Sequence, residues 1–204
     1  MIFGEAKRAV VTVGEGRGFV VECEHNRFVV TAAHCLPFFP PCITASYTEE
    51  RTYKTLLGPL GKKPSVWTEC LFADPIGDIA VLGPPDNQKL ANECALYDEL
   101  IEMAEPLEIA DPPKKCPAWL LSLNGQWFRC TVQHNNGPLW ISETAEAIIG
   151  GMSGSPIVAD DGAAIGVMCT AGDDHDVYTH APAGPNPRLT YNLPGWLLRE
   201  ASIF

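Results

Sequence analysis

VVTVGEGRGFVVECEHNRFVVTAAHC, residues 10–35, is the stretch that decides the architecture. Valine and phenylalanine crowd three short runs, at 9–13, 18–23 and 27–31. Such residues fit a pleated, half-buried sheet better than a helix. Glu24-His25-Asn26 separates the last two runs, which predicts a hairpin.

Outward from this stretch the same pattern repeats. The proline-rich segment 37–41 must be loop, because proline brings no N–H to a sheet ladder. Strand signals follow at 43–47, 65–72 and 78–82, the last stopped by Gly83-Pro84-Pro85. Residues 86–105 change character: Asp86 can cap a helix, and DNQKLANECALYDELIEMAE is rich in helix formers. Pro106 and Pro112-Pro113 close that linker. Strand signals resume at 118–123, 126–132, 139–143, 155–158 and 164–169. Residues 173–187 read as loop, and 194–201 as a last helix with Pro194 in its first turn. Many short strands without βαβ alternation predict an all-β fold. The composition shift divides it into an N-terminal barrel over 1–85, a partly helical linker over 86–108 and a C-terminal barrel over 109–204.

With 204 residues, 46 % of them apolar, the chain can bury a sizeable core. A net charge of −11 repels phosphate backbones and anionic membrane surfaces, so neither a nucleic acid nor a membrane is expected as a partner. No apolar run approaches the roughly 20 residues of a membrane span, and the start has no signal-peptide pattern, so a cytoplasmic location is expected. The eight cysteines contain no CxxC pair; reduced, mostly buried thiols are expected, with no metal cluster and no cofactor. The acidic loop around Asp173, Asp174, His175 and Asp176 reads as solvated surface.

Three segments carry chemistry: FVVTAAHC at 28–35, DPIGDIAVL at 74–82 and GGMSGSP at 150–156. A serine hydroxyl is a poor nucleophile at neutral pH and needs a base within hydrogen-bond reach. Histidine suits that task, and a carboxylate on its other ring nitrogen orients it. Negative charge developing on a substrate oxygen needs convergent backbone N–H donors, which glycines let the chain supply. His34, Asp78 and Ser153 meet these needs in the order His, Asp, Ser. Asp74 rivals Asp78, and Ser155 rivals Ser153.

Here the chain resembles the trypsin/chymotrypsin-like serine proteases. TAAHC resembles the segment around their catalytic histidine, DIAVL that around their aspartate, and GMSGSP their Gly-Asp-Ser-Gly-Gly-Pro motif. GRGFVV looks like a strand of bacterial HtrA-type members, and YNLPGWLL like their closing helix. The resemblance implies two six-stranded antiparallel β-barrels with a C-terminal helix. It implies a serine endopeptidase acting on a protein or peptide through an acyl-enzyme intermediate. Ser153 would be the nucleophile, His34 the general base then acid, and Asp78 its orienter. The N–H groups of Gly151 and Ser153 would form the oxyanion hole. Ala147, Ile148, Cys169, Thr170 and Ala171 would line the primary pocket; its lack of charge implies an apolar or small residue before the cut. Limited cleavage of a dedicated target is expected.

Two departures from the family pattern stand out. Animal members order the oxyanion loop with an ion pair to an aspartate just before the serine. Here that residue is Met152. Either the loop is always formed, or something else orders it, an activating partner protein among the options. The usual disulfide partner of the cysteine after the histidine falls at Gly16, which leaves Cys35 without it; Cys42 and Cys23 are the remaining candidates. The competing reading is a catalytically silent or partner-activated binding module on the same fold. An α/β-hydrolase esterase is excluded by the order of the three residues and the missing strand–GxSxG–helix context.

Overall fold

The structure is a computed structural model that describes residues 2–41, 50–86, 88–170 and 182–199. The strand expected at 43–47 lies outside these residues, as do Cys42 and Ala171. Six strands form the first barrel: β1 (Val10–Val13), β2 (Gly16–Cys23), β3 (Asn26–Thr31), β4 (Thr52–Pro59), β5 (Val66–Asp74) and β6 (Ile79–Gly83). They close in the order β1-β2-β3-β6-β5-β4, with every pair antiparallel. The hairpin expected between β2 and β3 is present. Glu24 and His25 both take positive φ there, 50° and 64°, the backbone of a primed turn whose twist suits a hairpin.

The crowding of valines in residues 10–35 has a packing cause. Val20 and Val29 point into the barrel with Val11, Val13, Tyr53, Leu57 and Leu82. Phe19, Val21 and Val30, on the opposite face, join a second cluster with Val158, Val167, Leu189 and Leu197 of the other half. Both faces of β2 and β3 are buried, so their sequences run apolar without alternation.

Helix α1 (Ile2–Arg8) precedes β1, and helix α2 (Ala91–Glu102) leads out of the first barrel. Tyr97, Leu100 and Ile101 of α2 pack into the first-barrel core, and the Tyr97 hydroxyl donates to the Arg27 carbonyl at 3.1 Å. Strands β7 (Lys115–Leu121), β8 (Trp127–Gln133), β9 (Leu139–Ser142), β10 (Pro156–Ala159), β11 (Ala164–Val167) and β12 (Ala183–Asn186) follow. They form one sheet in the order β11-β10-β7-β8-β9-β12. Its two ends meet through an isolated Gly166–Arg188 bridge and a 3.1 Å bond from the Val167 N–H to the Pro187 carbonyl. The second barrel thus closes by a bridge, not a ladder.

The closing helix differs from expectation. The helical turn is α3 (Leu189–Asn192), and residues 195–199 are turns. Pro194 ends α3, because it disfavours helical backbone at the residue before it; Leu193 is accordingly extended, at φ −73° and ψ 148°. Among the described residues no helix is long and apolar enough to cross a membrane. Among the described residues, Cys35, Cys70, Cys94, Cys116, Cys130 and Cys169 are free thiols.

Candidate active site

The register of β3 against β6 brings two of the chemical segments together. Thr31 pairs with Ala80, so the end of β3 lies beside the start of β6. His34 sits in the 3-10 turn Ala33–Cys35 just past β3, and Asp78 immediately precedes β6. Asp78 takes φ 55°, a left-handed backbone that aspartate tolerates better than most residues. Its carboxylate reaches back to the turn: Oδ2 lies 2.7 Å from His34 Nδ1, and Oδ1 accepts the His34 backbone N–H at 2.9 Å. Holding Nδ1 in this way leaves Nε2 for other work, and the His34 side chain remains 47 % exposed.

The electrostatics follow. Burial alone would raise the Asp78 carboxyl. Hydrogen bonds from the His34 ring and backbone, with the imidazole's charge, outweigh it and hold Asp78 below the ordinary 3.8. The hydrogen bond to Asp78 lifts His34 above 6.5 against the opposing effect of burial. Cys169 donates its thiol to the Asp78 carbonyl at 3.1 Å, and burial pushes that thiol up, keeping it neutral.

The third segment is built from two consecutive turns. The Met152 N–H donates to the Ile149 carbonyl at 3.3 Å, and the Ser155 N–H to the Met152 carbonyl at 3.1 Å. Each turn has its glycine at the third position with positive φ: Gly151 at 85° and Gly154 at 80°. That is the type II turn, which demands glycine there. The spacing of glycines in GGMSGSP therefore encodes two type II turns with Ser153 between. The type II sense also fixes the Gly150–Gly151 peptide, whose N–H would be reversed in a type I turn. In this loop the N–H groups of Met152, Gly154 and Ser155 are taken by carbonyls. Among the described residues, those of Gly151 and Ser153 have no backbone acceptor.

Ser153 and His34 line one cleft of about 460 Å³, with Glu15, Leu36, Leu56 and Gly151. A second cleft, of about 540 Å³, adjoins it across the Gly14–Gly16 turn and carries Lys7 and Lys62. The rivals are placed elsewhere. Asp74 Oδ1 accepts the N–H groups of Ile76 and Gly77, capping the turn before Asp78. Ser155 is 1 % exposed behind the loop.

Ala147 is exposed, whereas Ile148 packs in the second-barrel core. Thr170 donates its N–H and hydroxyl to Asn186 Oδ1, each at 3.3 Å. Gly16 does lie against Cys35: a Cβ there would come within 2.6 Å of Sγ. The Cys35 thiol is free, and burial pushes it up to about 11. Met152 is 1 % exposed, and its sulfur accepts the Ile149 N–H at 3.5 Å. No group of three potential metal ligands gathers among the described residues.

Sequence reasoning missed two residues at the site. Asn186, fully buried, ties Cys169 and Thr170 to β12; nothing in the surrounding loop-like composition marks it. Arg17, discussed below, stood in view between two glycines.

No family model and no curated protein matches the chain. Solved structures do. One, from work on the coupled folding and binding of the Sesbania mosaic virus VPg protein, aligns with a TM-score of 0.57 at 15 % identity, over 90 % of this chain and 87 % of that one. The Rv3671c protease of M. tuberculosis in its inactive form aligns with a TM-score of 0.56 at 16 % identity, over 98 % and 92 %. The MamO protease domain of Magnetospirillum magneticum gives 0.51 at 15 % identity, over 92 % and 95 %. The fold is chymotrypsin-like. At such identities the likeness shows the fold alone. The chymotrypsin-like fold places its two barrels side by side, and here His34 and Ser153 line the cleft between them, with Asp78 held on His34 Nδ1.

Proposed function

We propose that this chymotrypsin-like chain is a serine endopeptidase, with a peptide or protein segment as its substrate. The observation that supports it best is the 2.7 Å His34–Asp78 pair facing the cleft that Ser153 and Gly151 also line. In this reading Ser153 Oγ attacks the scissile carbonyl carbon while its proton passes to His34 Nε2. The carbonyl oxygen becomes an oxyanion held by the Gly151 and Ser153 N–H groups. Collapse of that intermediate breaks the C–N bond, and His34 returns the proton to the leaving amine. Water then repeats the sequence on the acyl ester, releasing the acid and restoring the Ser153 hydroxyl. Asp78 holds Nδ1–H throughout and stabilises the transient imidazolium.

A fluorophosphonate tests this reading. Native protein should be labelled at Ser153, while heat-denatured protein and Ser153→Ala should not. Native protein that stays unlabelled under conditions where a known serine protease reacts fully would overturn it.

A further inference from the structure

We propose that Arg17 is the positioning residue that holds the Ser153 loop in its formed state; this rests on the reading of Ser153 as nucleophile. Arg17 lies in β2 of the first barrel, yet most of its contacts are in the second. Its backbone N–H donates to the Ser153 carbonyl at 2.8 Å. Its carbonyl accepts the Thr31 hydroxyl at 2.6 Å. Gly154 packs so closely on that carbonyl that a Cβ would come within 1.8 Å of the oxygen.

The side chain makes the same connection from behind. It is 6 % exposed, and its Nη1 donates to the Leu121 carbonyl at 2.7 Å and reaches Ser155 Oγ at 3.5 Å. Its Nη2 donates to the Ser122 carbonyl at 3.0 Å. Leu121 ends β7, Ser122 begins the β7–β8 turn, and Ser155 is two residues past Ser153. Among the described residues no carboxylate pairs with this guanidinium.

Burying an uncompensated cation costs several kcal/mol, and an apolar side chain of the same length would fill the space without that cost. What the guanidinium supplies is directional: a planar fork of fixed donors that locks three acceptors of the second barrel to one residue of the first. Two of the loop's residues, Ser153 and Ser155, are gripped by that single side chain and its peptide group. Met152, buried just before the nucleophile, carries no charge with which to anchor the loop itself. Arg17 therefore supplies from within the chain an anchor for the loop that Met152 does not.

Amide hydrogen exchange with fluorophosphonate kinetics tests the proposal. Arg17→Lys keeps a cation but loses the fork; Arg17→Met keeps an unbranched stem and the backbone N–H but loses every side-chain donor. The amides of Gly154 and Ser155 should exchange at least tenfold faster in Arg17→Met, with Arg17→Lys between it and the parent. Strands β3 and β6 should keep their protection. Labelling of Ser153 should slow by about 100-fold, the scale of losing one oxyanion donor, while the acid limb of its pH profile stays put because the His34–Asp78 pair is intact. Loop amides exchanging at the parent rate in either folded variant would overturn the proposal. Should Arg17→Met fail to fold, the Arg17→Lys exchange rates decide. A parent protein that is never labelled, with exchange behaving as expected, sinks the protease reading and leaves the anchoring role standing.

Discussion

At the scale of single residues, the His34–Asp78 pair makes a pH prediction with a definite sign. His34 is raised in the folded state and must be neutral to accept a proton. Activity should therefore rise with pH along a limb centred above 6.5, the ordinary imidazole value. Asp78→Asn removes the bond that lifts His34, so the imidazole should fall back towards 6.5, and kcat should drop by about 10⁴ as the wrong tautomer forms. A ring titration followed by NMR checks the first effect, and single-turnover acylation the second; a variant whose His34 titrates as in the parent would contradict the geometry. The pair also shapes stability. The His34 contribution is present at low pH and fades as pH rises through its raised value, while that of Asp78 is present above 3.8 and fades as pH falls through its lowered one. The pair thus stabilises most in the window between. The three candidate residues, His34, Asp78 and Ser153, could be picked out of the sequence because each sits in a short segment with its own local pattern. Arg17 was not legible as an anchor, because its partners, Leu121, Ser122 and Ser155, lie more than a hundred residues away in the chain.

At the scale of elements, what the sequence hid had physical causes. Strand β4 escapes because its burial pattern breaks the two-residue period: Thr55 takes φ 50° and the register against β5 shifts between Tyr53 and Leu57. Strand β12 is four residues, Ala-Gly-Pro-Asn, and owes its existence to pairing with β9 rather than to propensity. The strands of residues 10–35 were readable because burial on both faces writes itself as an apolar run. Glu69 shows what such reading cannot price. It sits in β5, is fully buried, and its carboxylate holds Arg51 at 2.6 Å and accepts the Asp86 N–H at 2.7 Å where the chain leaves the barrel. Glu69→Ala would orphan a backbone donor and an arginine that is partly open to solvent, at 38 % exposure. A loss of about 2–3 kcal/mol is expected, below the full cost of breaking a buried pair because Arg51 can rehydrate. Urea unfolding should show a lower midpoint with an unchanged slope; a midpoint equal to the parent's would mean that the pair is energetically idle.

At the scale of the whole molecule, one core cluster crosses from barrel to barrel, and this decides how the chain should unfold. Phe19, Val21 and Val30 of the first barrel share it with Val158 and Val167 of the second. The C-terminal segment seals the same cluster from outside: Leu197 is 2 % exposed, its N–H donates to the Pro194 carbonyl at 2.9 Å, and the Trp196 ring stands edge-on to Phe28 at 5.4 Å. Arg17 adds buried hydrogen bonds across the same seam. Two barrels joined by a thin polar contact would melt separately, as loosely docked domains do. Joined through a continuous apolar cluster, neither can expose its face without stripping the other, so the barrels should unfold in one transition. Leu197→Ala offers the test, since it removes buried methyl groups from the shared cluster and touches neither barrel's interior. It should cost about 3 kcal/mol, the middle of the range for buried leucine truncation. Tryptophan fluorescence reports both halves, through Trp67 and Trp196 near the first barrel and Trp119, Trp127 and Trp140 in the second. If the seam couples the barrels, fluorescence and far-ultraviolet circular dichroism should move to the lower midpoint together. A variant in which one probe shifts and the other does not would show the barrels to be independent, and would also remove the footing on which a first-barrel arginine holds a second-barrel loop.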